Sequence, residues 1–251
     1  MMVPEPSSMT PQEARDVLTS YLKEVAGVHN EGAFRPTDSL LMKLGKQALP
    51  DSSRTSIRLF LTKVLRWRER KRSAGLSSPL RLHLGCGHDR KPGWTNVDLF
   101  GYGDIALNLT RPLPIESGIA ECIFQEHLLE HLTLRQGFGL LSECYRILQP
   151  GGVRRIGVPD TGSYIESYIE GGRGLIEILR PGRPTPLIAM QEIFYWYGHR
   201  TMYDLGTLTV TCRAVGFAND IEQRPFGHSR LVPSPDTAAR RDETLYVETV
   251  K

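Results

Sequence analysis

Apolar residues recur along this 251-residue chain with two different periods. From about residue 80 onward, short apolar runs predict strands. RLHLGCG over 81–87 ends in glycines, WTNVDLF follows over 94–100, and AECIFQ over 120–125 is a third clear run. VRRIGVP over 153–159, a stretch near 219–224 and TLYVETV over 244–250 complete the set. Helical patterns lie between them, one ending at Pro150-Gly151-Gly152 and one over about 203–215. Strands that alternate with helices predict an α/β fold with a largely parallel sheet covered on both faces.

The first 75 residues have a different texture. Residues 1–9 carry no pattern and read as disordered. Thr10 offers an N-cap, Pro11 suits the first helical turn and Glu13 stands at the capping-box position, so a helix is expected to about Gly27. A shorter one is expected over about 38–48. A third opens at Pro50-Asp51, with Ile57, Phe60, Leu61, Val64 and Leu65 spaced at 3.6 residues, which predicts one buried stripe. Its other face is basic, from Arg54 to Arg72. Such a face over 54–72 is a candidate for membrane-surface contact. SAGLSSP over 73–79 is a linker by composition. The resulting division is a disordered 1–9, a helical extension over 10–75 and a main domain over 80–251.

Composition narrows the class. The chain is 40% hydrophobic and 24% charged, as for a soluble globular protein. A net charge of +3 is too weak to argue for nucleic acid, and no RNA-binding motif is present. No apolar run reaches membrane-spanning length, and MMVPEPSSMT is not a secretory signal, so the cytoplasm is the expected location. Cys86, Cys122, Cys144 and Cys212 form no C-x-x-C pair and read as free thiols.

LHLGCGHDRKPGWTNVD, 82–98, is the strongest local signal. A strand runs into Gly85-Cys86-Gly87, where glycine allows a tight turn and close approach of a ligand to the main chain. Asp98 ends the next strand, at the edge where open α/β sheets bind ligands, and its carboxylate suits a pair of ribose hydroxyls. A dinucleotide site is disfavoured: Arg90 stands where the third glycine of G-x-G-x-x-G belongs, and Asp98 follows too soon.

Together with LPIESGIAECIFQEHLLEHL (113–132), ECYRILQPGGVRRIGVPD (143–160) and the closing segments 199–217, 227–230 and 243–251, this stretch resembles the class I S-adenosylmethionine-dependent methyltransferases. More narrowly, it resembles those found among polysaccharide and glycosyl-transfer genes. The resemblance covers about 80–251. It implies a Rossmann-like seven-stranded sheet whose last strand is antiparallel, and S-adenosyl-L-methionine as cofactor. The implied cofactor residues are Gly85, Cys86 and Gly87, Asp98 and Leu99, Asn108 and Leu109, and Gln125 and Glu126. Asn108 stands where the family commonly has Asp, and Asp104 is a possible substitute.

HLLEH over 127–131 also matches the H-x-x-E-H pattern of inverted zinc peptidases. That reading needs a long helix and a distant third ligand, with Glu166, Glu177 and Glu192 as candidates, and leaves the glycine turn unexplained. In the methyltransferase reading His127 lies beside the reacting methyl and is the first general-base candidate, with His199 the second; no metal is expected. Asp160, Tyr164 and Tyr168 fall at the ligand edge, the two tyrosines four apart on one helix face. His228 belongs to a loop expected to close over a small-molecule or glycan substrate. A non-catalytic scaffold that retains the fold is the alternative from another functional class.

Overall fold

The computed structural model describes residues 51–251 apart from Leu65, Gly101, Ala218 and Asn219, together with four helical positions, Asp16, Thr19, Ser20 and Lys23. The expectations for 1–9, 10–27 and 38–48 otherwise lie outside the described residues. The third expected helix is present as α1 (Asp51–Val64), followed by α2 (Arg66–Ser73).

Among the described residues, the apolar stripe that the spacing predicts is not buried. Ile57, Phe60 and Leu61 are 47%, 63% and 44% exposed. Polar contacts hold the helices instead. Arg58 Nε donates to the Leu99 carbonyl at 3.1 Å, and Arg111 donates to the Leu59 carbonyl at 3.3 Å. The buried Glu69 carboxylate accepts the Asn108 backbone N–H at 2.9 Å. The segment from Leu99 to Arg111 is mostly loop, so its backbone groups need partners from elsewhere, and the helices supply some of them.

Seven strands form one sheet in the order β3-β2-β1-β4-β5-β7-β6. They are β1 (Leu80–Leu84), β2 (Thr95–Asp98), β3 (Ile105–Ala106), β4 (Ala120–Glu126), β5 (Leu148–Pro159), β6 (Ile221–Gln223) and β7 (Thr244–Val250). Strands β3, β2, β1, β4 and β5 run parallel, and β7 is antiparallel to both β5 and β6. This is the seven-stranded α/β sheet with an antiparallel last strand that the sequence predicts.

Successive strand residues point to opposite faces. One face carries the rows Leu82–Ile123–Arg154–Thr249 and Leu84–Gln125–Ile156–Val247. Helices α3 (Leu134–Ile147) and α7 (Leu205–Val215) cover it, with Leu140, Leu141, Cys144, Leu208 and Cys212 in its core. Thr133 starts α3 with a complete capping box to Gln136, and Asp204 caps α7. Each fully buried aliphatic side chain here contributes about 1.5–3 kcal/mol.

The opposite face carries the row Asn96–His83–Phe124–Arg155–Glu248, and loops cover it. Trp94 stands edge-on to Phe124, and Lys91 lies 5.8 Å from its ring. Helices on both faces were the expectation; the few residues between Gly87 and Trp94 cannot form one.

Between β5 and α7 lie α4 (Thr161–Ile169), α5 (Leu175–Leu179) and α6 (Pro186–Tyr195). They have a small core of their own: Tyr164, Ile176, Ala189, Met190 and Ile193. The four cysteines are free and buried. Among the described residues no helix is long and apolar enough to cross a membrane.

Candidate functional site

The site lies along the carboxyl ends of β1, β2, β4 and β5. Strand β1 ends as Gly85 and Cys86 both donate their N–H to the Val97 carbonyl, at 2.8 and 3.1 Å. Gly85 has φ +69°, and an added Cβ would stand 2.7 Å from Leu128 Cδ1. The positive φ calls for glycine, and the close approach packs the turn against the HLLEH segment. Gly87, at φ +49°, has open space where a Cβ would be, as a ligand approaching the main chain requires. Cys86 is buried, and burial followed by the Asp98 charge pushes its thiol up to about 12. That excludes a thiolate nucleophile.

Asp98 ends β2. Its Oδ1 accepts the Phe100 N–H at 2.7 Å and its Oδ2 the Gly87 N–H at 3.3 Å. The carboxylate is therefore fixed at the mouth of the glycine turn, with lone pairs to spare. Leu99 is half-buried beside it and held through its carbonyl by Arg58.

Asn108 departs from its expected role. Its amide donates to Thr62 Oγ1 at 3.0 Å, and its amide oxygen accepts both the N–H and the hydroxyl of Thr110. Leu109 lies in the main core. Asp104 is equally engaged, by the backbone and side chain of Asn96 and by Arg90. The Asn96 contacts hold its carboxyl below the usual range. Sequence reasoning missed Glu69 and Thr62, the distant residues that close this network.

At the end of β4, Gln125 and Glu126 diverge. Gln125 is fully buried under the helices and accepts from Arg154 at 2.5 Å, away from the ligand edge. Glu126 faces the other way, where its Oε1 accepts Tyr246 Oη at 2.6 Å and the Thr237 N–H at 3.1 Å. Burial, followed by the Glu126 contact, pushes the Tyr246 phenol up. Thr237 also reaches Asp89 at 2.7 Å and Lys91 at 3.0 Å, fastening the loop before β7 to the glycine turn.

His127 follows in the left-handed region, φ 50°, an uncommon conformation for a residue with a side chain. Its Nε2 lies 2.9 Å from Thr244 Oγ1, and its Nδ1 lies 3.2 Å from Glu130 Oε1. A 3-10 turn over Leu129–His131 comes next, and Leu132 is already extended. The peptidase reading requires a long helix here, so the structure overturns it. Glu192, one of its third-ligand candidates, is instead paired with Arg180 and Arg183 at 3.3 and 2.8 Å.

His199 arrives from the far side of the α4–α6 insertion. Arg200 and Thr201 donate backbone N–H groups to the Glu130 carbonyl at 2.7 and 3.2 Å, and the Thr201 hydroxyl donates to the Leu132 carbonyl at 2.8 Å. These bonds set the His199 ring edge-on to His131, with centroids 5.0 Å apart. Burial lowers the proton affinity of His199.

The remaining candidates separate. Asp160 caps α4 through Ser163 and lines an acidic groove of about 300 Å³ with Glu166 and Asp204, a groove to which the glycine turn contributes nothing. Tyr164 lies in the small core, where burial raises its phenol to about 12, whereas Tyr168, one turn on, projects past that core. The two tyrosines, four apart on one helix, therefore meet different surroundings. His228 is exposed, and its loop is pinned rather than poised. Arg155 binds the Pro225 and His228 carbonyls, and Ser229 and Arg230 bind Glu248.

No protein-family model and no curated protein matches the chain. Solved structures do align with it. A SAM-dependent methyltransferase from Archaeoglobus fulgidus is 15% identical, covering 79% of this chain and 94% of its own, with a TM-score of 0.42. A second, from Thermotoga maritima and described as a possible histamine N-methyltransferase, is 16% identical over 77% and 97%, with a TM-score of 0.45. A protein from Bordetella parapertussis described as a possible exported protein is 12% identical over 98% and 90%, with a TM-score of 0.43. Similarity this distant assigns no activity.

Proposed function

We propose that this chain is an S-adenosyl-L-methionine-dependent methyltransferase acting on a hydroxyl of a small-molecule or glycan acceptor. One observation carries the proposal: the Gly85–Gly87 turn, the Asp98 carboxylate and the His127–Glu130 pair converge on one edge of a β3-β2-β1-β4-β5-β7-β6 sheet. The donor set fits the cofactor. Gly87 leaves its backbone uncovered, and Asp98 offers a fixed carboxylate that can accept from two hydroxyls.

When bound, the cofactor supplies an electrophilic methyl on a sulfonium. The chain's part is alignment and proton management. Placing the acceptor oxygen in line with the methyl lowers the barrier through proximity, by about 7–11 kcal/mol at most. His127 Nε2 takes the acceptor's hydroxyl proton, while the buried Glu130 carboxylate, 3.2 Å from Nδ1, stabilises the charge that the ring gains. Thr244 now holds Nε2 and must yield to the acceptor or relay its proton. Tyr195 and Tyr197 expose their rings, that of Tyr197 5.9 Å from His199, and flat aromatic faces suit sugars.

Calorimetric titration with S-adenosylhomocysteine tests the reading. The expected result is micromolar binding, weakened at least tenfold in Asp98→Ala, with Asp98→Asn as a check on folding; tenfold is about 1.4 kcal/mol. A folded wild-type chain that does not bind overturns it in favour of a scaffold that keeps only the fold.

A further inference from the structure

We propose that Glu130, His131 and His199 form a binding site for a divalent first-row cation of the zinc type. The three donor atoms lie within 4.8 Å of one another. They come from two segments held in register by the backbone bonds from Arg200 and Thr201 to Glu130 and by the Thr201 hydroxyl on Leu132. A tetrahedral ion with bonds near 2.0–2.1 Å places its donors about 3.3 Å apart, a gap that modest rotation of the two imidazoles closes.

Glu130 is the second, independent observation. It is 1% exposed, and neither carboxylate oxygen has a hydrogen-bond partner among the described residues. His127 Nδ1 lies 3.2 Å from Oε1, at an ion-pair distance, and forms no hydrogen bond with it. A carboxylate buried in this way costs several kcal/mol unless a cation meets it.

His199 is prepared as a ligand. Its Nδ1 lies 2.6 Å from the Ile193 carbonyl, which can only accept, so Nδ1 carries the proton and Nε2 keeps its lone pair. A ligand imidazole anchored through its other nitrogen is the usual arrangement around zinc. Two imidazoles and one carboxylate suit zinc and its neighbours better than magnesium or calcium. The set differs from the His127–His131 pair of the peptidase pattern, because Thr244 engages His127 Nε2.

The site stands on these residues alone, so its test reads metal rather than methyl transfer. The full chain, purified without a histidine tag and stripped with chelator, is titrated with Zn²⁺ against a chromophoric zinc chelator. One equivalent should bind at submicromolar Kd and raise the Tm. His199→Ala and the near-isosteric Glu130→Gln should each weaken binding at least 100-fold, while His228→Ala, at an exposed histidine elsewhere, leaves it unchanged. Stoichiometric binding that survives His199→Ala, loss that is equal in His228→Ala, or no binding by the folded wild type overturns the proposal.

Discussion

Arg154 and Arg155 are consecutive on β5, both completely buried, and they meet opposite fates on the two faces of the sheet. Arg155 points under the loops. Asp236 grips it with two bonds, at 2.5 and 2.6 Å, Glu248 adds one at 3.1 Å, and it stacks 4.5 Å over the Tyr246 ring. Arg154 points under the helices. It reaches only Gln125, and its Nε and one terminal nitrogen have no partner among the described residues. Helices satisfy their own backbone and present aliphatic side chains, so the face they cover has few acceptors to give a guanidinium. Loops leave carbonyls free and bring carboxylates with them. On the loop face, polar contacts do the fastening that apolar packing does on the other.

If so, removing the well-held arginine should produce the largest effect. Arg155→Met would leave Asp236 buried without its cation, leave Glu248 with Arg224 as its cation, and release the Pro225 and His228 carbonyls. Breaking a buried pair in this way typically costs about 3–5 kcal/mol. The urea midpoint should fall accordingly, with an unchanged m-value if unfolding stays two-state. A loss under about 1 kcal/mol would mean that the loop face adds little and the comparison fails.

The same contrast marks what the sequence could tell. The glycine turn, Asp98 and the end of β4 were legible because their signals are local: a turn needing glycine, and side chains at strand ends. Nothing local separates Arg154 from Arg155. The partner that does, Asp236, is 81 residues away. Asn108 stands where the resemblance has Asp, and its partners Thr62 and Glu69 come from helices 39 to 46 residues earlier, beyond the reach of any local signal. His199 could be picked out as a base candidate, but its place beside His131 depends on the fold of the whole α4–α6 insertion.

The loop face should also be the more sensitive to acid. His83 lies in the same row as Arg155, buried, with Nδ1 3.1 Å from Asn96 Oδ1 and with Lys91 and Asp89 as its charged neighbours. Burial, only partly opposed by Asn96, lowers it from 6.5 to about 4. The unfolded chain then binds a proton that the folded chain refuses. Stability from this residue is complete above pH 6.5 and declines as pH falls toward 4, by about 3 kcal/mol in all. Asp89 and Asp104, held below their ordinary 3.8, lose their contributions only at still lower pH. Thermal melts at steps from pH 7 to 4 should therefore slope downward, and His83→Gln should flatten the slope. An equal slope in the variant would assign the acid sensitivity elsewhere.

The helix face predicts the opposite sign. Arg154 gives up its hydration for a single hydrogen bond and lies among Leu82, Ile123, Cys144 and Cys212. Replacing Arg154 alone would leave the Gln125 oxygen without its donor, and the Gln125 amide nitrogen already has no partner. Both ends of the interaction must go together. Arg154→Met with Gln125→Leu substitutes apolar groups of similar volume into a face already built of them. Exchanges of this kind are often neutral or stabilising, here by about 1–2 kcal/mol. The double variant should unfold at equal or higher urea concentration than wild type, while Arg154→Met alone falls below the double. Destabilisation of the double variant beyond about 1 kcal/mol would show that Arg154 serves the fold as Arg155 does, and the two faces would differ in geometry but not in what holds them.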